Sequence, residues 1–149
     1  MVYGKHELER EMSQKEVIEA NGKRLAIYLP SSSWEKGLTF LTEDEDFIQA
    51  GVWEYDKGVK LQPHIHNEVK REISRTQEVI FVKSGKLRAH IYTEDEKLVK
   101  TFELSLGDVL ILLSGGHGYE ILESGTQVLE IKNGPYPGPE VDRRRIKEG

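Results

Sequence analysis

An all-β fold, a sandwich or barrel of short strands, is what this sequence predicts, and three observations carry it. Turn signals recur about every 8 to 15 residues along the chain. Short runs of alternating apolar and polar residues lie between them, the period of a half-buried strand. The stretch VIEA-NG-KRLAIYL is a hairpin signature, because Asn21 and Gly22 tolerate the positive φ that a type I′ turn needs at both central positions.

The elements follow in order. Residues 1–15 are polar and read as a loose arm or a short helix, with only Leu8 and Met12 at helical spacing. After the hairpin, Pro30 and the serines behind it break the pattern. A strand over 39–42 ends in the acidic turn 43–46. Residues 47–55 make the next strand, closed by Asp56-Lys57-Gly58, and 59–66 make another. Strands are expected over 76–82 and 86–92 on either side of Ser84-Gly85. A polar turn at 93–96 leads into 98–104, and Gly107-Asp108 into 109–113. Strands over 118–122 and 127–132 complete the set. The tail, 133–149, holds three of the five prolines and reads as an extended surface segment. Its Arg143, Arg144 and Arg145 are a solvated charged face or, on the sharper reading, an anion site.

At 149 residues the chain is expected to be one domain, residues 1–149, with a core over about 48–132. There are no cysteines, which excludes disulfide scaffolds, thiolate metal sites and cysteine nucleophiles. A net charge of −5 gives no basic footprint for nucleic acid. No apolar run approaches the roughly 18 residues that span a bilayer. The charged N-terminus lacks an apolar signal region, so a cytoplasmic protein is expected. Phosphate-loop and serine-hydrolase patterns are missing.

The chemistry starts at PHIHN, residues 63–67. In a strand, residues two apart point to one side, so His64 and His66 share a face with Gln62. Two imidazoles so placed reach one ion, or are merely two polar residues on one side. Glu78 leads an alternating strand with Ile80 and Val82 on its face, and a carboxylate aimed at an interior needs a partner. His117 follows Ser114-Gly115-Gly116, where the backbone bends freely enough to turn the imidazole inward, and Tyr119 shares its parity. Gly58, Gly85 and Gly107 lie at regular distances from these residues. Gln77 has the opposite parity to Glu78. His90 reads as surface and His6 lies in the polar arm. Trp53 and Tyr55 share a face suited to core or dimer packing, or to stacking on a sugar ring. Arg71 and Arg75 stand in the spacer 67–77, as a carboxylate or phosphate clamp or as ordinary loop charge.

Together these residues resemble the cupin superfamily. Its first motif is matched by Gly58, His64, His66, Glu78 and Gly85, except that eleven residues stand between His66 and Glu78, where the family has a short spacer. Its second motif is matched in part by Gly107 and His117. Leu113 replaces the usual proline, the run to the histidine is one residue short, and no asparagine trails it. The longer spacer leaves Glu68 and Glu72 as competitors to Glu78.

The resemblance implies a double-stranded β-helix, or jelly-roll barrel, with the N-terminal hairpin as an extension. It implies one divalent transition metal (Fe, Mn, Ni, Co or Zn) on His64, His66, Glu78 and His117, an all-N/O donor set. A metal-free barrel with hydrogen-bonded histidines is the alternative. It also implies a homodimer, for which the N-terminal hairpin is a natural exchange element. The expected function is metal-dependent chemistry on a small polar or anionic metabolite, a sugar or keto-acid isomerase, epimerase or dioxygenase. Tyr119 is the candidate proton-transfer group, and Arg71 and Arg75 are candidate substrate ligands. A non-catalytic sensor or carrier is the other class.

Overall fold

The computed structural model describes residues 15–147, and these form an all-β molecule of several antiparallel sheets that do not close on themselves. The polar arm with His6 lies outside the described residues. In chain order the strands are β1 (Glu16–Ala20), β2 (Lys23–Leu29), β3 (Gly37–Phe40), β4 (Gly51–Glu54) and β5 (Glu78–Ser84). Then come β6 (Lys86–Tyr92), β7 (Leu98–Ser105), β8 (Val109–Leu112), β9 (Gly116–Ile121) and β10 (Gln127–Lys132). One sheet runs β1-β2-β8-β5-β10, a second β7-β6-β9, and β3 pairs with β4 alone.

The hairpin at Asn21-Gly22 forms as expected, with φ of 54° and 72°. It is not an appendage, however. β2 pairs with β8 in the middle of the main sheet, so the hairpin is already partnered within its own chain. The core therefore reaches back before residue 48, to Leu25, Ala26, Ile27 and Leu29.

Alternation sorts the core into two layers. From β5 and β8, Ile80, Val82, Leu110 and Leu112 point to one side, where Leu87, Ala89 and Ile91 of β6 and Leu104 of β7 meet them. Val109 and Ile111 point to the other side, against Leu41, Ile48 and Val52. The middle of the main sheet is thus covered on both faces, and all four residues of β8 are buried. Buried Asp108 is well bonded. The Asp108 carboxylate accepts from the Tyr28 hydroxyl (3.0 Å) and from the Ser31 and Ser105 backbone N–H groups (2.9 and 2.8 Å).

Two expectations fail. Residues 59–66 form no strand, and nothing from 55 to 77 is regular structure. The cause is pairing rather than propensity. Hydrogen bonds made within 57–74 are all local: the Val59 N–H to Asp56 O, His64 to Gln62 O and to His66, and Arg71 to Val69 O. A strand without a neighbour has no ladder to hold it. The tail is not wholly extended either. Pro139 opens a single helical turn, α1 (Pro139–Asp142), since proline's fixed φ suits a first helical position.

The ends of the irregular segment are held firmly. The Gln77 side chain accepts from the N–H groups of Phe47 and Ile48 (2.8 and 3.0 Å) and donates to Leu113 O (3.2 Å). Asn133 accepts from the Gln77 N–H and donates to Arg75 O. Gln77 is therefore a buried structural clamp, turned away from Glu78 as parity required.

Candidate functional site

Sheet register brings Glu78 and His117 together. Glu78 lies opposite Leu112 on one side and Lys132 on the other, so all three share the inner face of the main sheet. His117 lies opposite the buried Ile91, so it shares the inner face of the second sheet. The two faces look at each other, and His117 Nε2 comes to 3.2 Å from Glu78 Oε2. Lys132 Nζ stands 3.2 Å from the other oxygen.

The turn that delivers His117 depends on Gly115. Its φ is +72°, and a Cβ there would lie 2.2 Å from the Tyr92 carbonyl oxygen. The bend that the sequence suggested is thus a steric requirement.

The Glu78 side chain is 9% exposed and that of His117 31%. Burial, the largest single influence, works against the Glu78 anion. His117 and Lys132 together outweigh it and hold the carboxyl below its ordinary range. Lys132 is pushed up, chiefly by its hydrogen bond to Glu78. Yet Glu78 Oε2 is buried with no hydrogen bond aligned on it, although the imidazole nitrogen is close. The same two atoms, 3.2 Å apart, also have the spacing of two ligands of one ion.

His64 and His66 form a second close pair, hydrogen-bonded to each other with Nε2 atoms 3.3 Å apart and rings nearly perpendicular. Adjacent donors on one ion with bonds of about 2.1 Å stand about 3.0 Å apart at a right angle and about 3.4 Å at the tetrahedral angle. Both separations fall in that interval. The chain does not unite the pairs, however. Among the described residues no group of three or more His, Asp or Glu gathers around a common point. Glu68 and Glu72 lie on the same exposed segment as the PHIHN pair and join neither.

Beside Glu78 and His117 opens a cleft of about 1030 Å³. Arg71 and Arg75 line it, as do Lys132 and the tail residues Arg143, Arg144 and Arg145. These six cations face four carboxylates, Glu78, Glu94, Glu96 and Asp142, so the cleft is cationic within an acidic protein. Arg75 lies 3.6 Å from Glu94, and Arg144 is engaged by Glu96 and by Glu94 O. The tail arginines read as solvated charge in the sequence. α1 turns them back to the cleft wall, where the Asp142 carboxylate accepts from Thr76.

Tyr119 packs its ring 5.6 Å from that of His117. Burial of the hydroxyl, then the negative charges of Glu78 and Glu130, push its pKa well above the ordinary phenol value. It therefore keeps its proton at neutral pH. His90 bonds to Thr101 on the outer side of β6, away from the site. Trp53 and Tyr55 stack edge to face at 5.7 Å and are exposed.

No helix among the described residues is long and apolar enough to cross a membrane. Comparison with protein-family models, with curated proteins and with solved structures finds no match to this chain.

Proposed function

We propose that this chain is a jelly-roll protein of cupin type that holds one divalent transition metal and acts on a small anionic metabolite, a sugar or keto acid. The observation that carries the reading is the buried Glu78 carboxylate with its Oε2 3.2 Å from His117 Nε2. Its counterpart is the equally spaced imidazole pair at His64 and His66. Three imidazoles and a carboxylate make an N/O donor set suited to Fe, Mn, Ni, Co or Zn.

The metal, when bound, would supply Lewis acidity toward a carbonyl or enediol, or a place for dioxygen. The chain's own residues do the rest. Arg71 and Arg75 hold the anionic end of the metabolite, with Arg143 and Arg145 on the same wall. Tyr119, kept protonated, is placed to donate a proton beside His117. The enclosing sheets limit water around Glu78.

Elemental analysis of protein purified without a histidine tag tests the metal, with His64→Ala and His117→Ala as controls and circular dichroism to confirm their fold. Both variants are expected to lose stoichiometric metal. Retention in either would refute the assignment. Screening the loaded protein against sugars, sugar phosphates and keto acids then identifies the reaction.

A second reading rests on Lys132. Its ammonium already stands 3.2 Å from Glu78 Oε1 and supplies a positive charge without any metal. On that reading the cleft captures an anion and transforms nothing. Binding without turnover by the protein in its metal-carrying or metal-free form would favour it.

A further inference from the structure

Among the described residues, β1 and β10, β7 and β9, and both strands of the β3–β4 pair are bonded on one side only, and one strand-like segment has no sheet. Of these edge strands, β9 and β10 are the two that carry His117 and Lys132 beside Glu78. Their inward-facing residues remain open to water: Ile121, opposite the buried Leu87, is 59% exposed. Open apolar edges of this kind invite another strand.

The segment 59–66 has the pattern of such a strand. Val59, Leu61, Pro63 and Ile65 make one face, and Lys60, Gln62, His64 and His66 the other. In the single chain the apolar face lies in water, with Ile65 91% exposed. Exposure on this scale is uncommon in a chain that works alone. The segment leaves the body after β4 and returns at Gln77, whose hydrogen bonds from Phe47 and Ile48 fix the returning end. Its own hydrogen bonds are local, and none joins 59–66 to the β9 or β10 edge.

We propose that residues 59–66 of a second copy of this chain add to the free edge of β9, and that the exchange is reciprocal. The polar face then turns inward. His64 and His66 of one copy arrive beside Glu78 and His117 of the other, and each complete donor set is built from two chains. The apolar face lies in the seam between the copies. The metal part of this inference rests on the reading given above; the strand exchange does not. It explains why each half of the donor set has ligand spacing while no single chain joins the halves. It also moves the exchange away from the N-terminal hairpin, which β8 already holds. Reciprocal exchange of one element closes a symmetric dimer at little conformational cost.

Two experiments on the full chain test it. The chain has no cysteine, so Asn67→Cys carries a single nitroxide just past the strand. In the first experiment, metal-free spin-labelled protein is co-refolded with isotope-labelled wild type. Broadening of wild-type amide signals across Gly116–Ile121 is expected, with those of Glu16–Ala20 unaffected. Broadening seen only when both labels sit on one chain means that the segment folds back on its own edge, and overturns the proposal. So does no broadening at all.

In the second experiment, a His64→Ala/His66→Ala chain is co-refolded with a His117→Ala chain. Neither alone should hold metal. The mixture should regain about a quarter of the wild-type content, since half of its dimers are mixed and each has one intact site of two. No recovery, with wild type metal-loaded, overturns the shared site and spares the metal reading. Wild type without metal but with between-chain broadening does the reverse: it sinks the metal reading and supports the exchange.

Discussion

Val109–Leu112 and residues 59–66 are both written as strands, and only the first is one. β8 lies between β2 and β5, its backbone bonded on both sides and its side chains buried on both faces. Residues 59–66 alternate as cleanly but meet no neighbour. The contrast teaches that a strand is a property of a pair: alternation says which face is apolar, and a partner decides whether the backbone becomes a ladder.

The comparison breaks most visibly at Leu110, which is fully buried. Leu110→Ala should cost about 2–5 kcal/mol in urea unfolding. Leu61→Ala, measured at protein concentrations low enough to favour single chains, should stay within about 0.5 kcal/mol. Equal losses would mean that 59–66 is packed within its own chain after all. A rise in the Leu61→Ala cost with protein concentration would instead place its packing between chains.

A smaller effect is expected at the turn joining β8 to the site. Gly115→Ala forces a Cβ toward the Tyr92 carbonyl at a positive φ, and should cost about 1–3 kcal/mol. The same turn sets His117, so this variant should lose metal more readily than Leu110→Ala does at matched stability. Thermal melts paired with elemental analysis would separate the two effects.

The smallest expected effect is a pH dependence on the open side. The fold holds the Glu78 carboxyl below its ordinary 4.5, so it favours the charged form. The stability this adds is complete above that ordinary value and drains away as pH falls through the lowered folded one. Glu78→Gln, stripped of metal, should show a flatter melting-temperature profile on the acid side than stripped wild type. An identical slope would remove His117 and Lys132 as its stabilisers.

What the sequence made legible follows the same division. The Asn21-Gly22 hairpin and the limits of β6 and β10 were readable because turn chemistry and alternation are local. So was the inward turn of Glu78 and of His117, from parity and the glycine bend; that they meet was only what the family resemblance implied, since β5 and β9 lie in different sheets. The place of β2 in the central sheet was not, because pairing between β2 and β8 joins residues far apart in the chain. Arg143, Arg144 and Arg145 looked like solvent charge for a related reason: only the turn at Pro139 brings them back to the cleft. The strand expected at 59–66 failed because no described strand pairs with it.

The Gln77 clamp has one more consequence. Phe47 and Ile48 are tied to Gln77 across the base of the projecting segment, and β2 is tied to β8 across the rest of the body. A protease that cut the backbone anywhere from 57 to 74 would therefore leave two fragments still clasped. The body does not depend on covalent continuity there, so that stretch is available to serve a neighbour instead of its own fold.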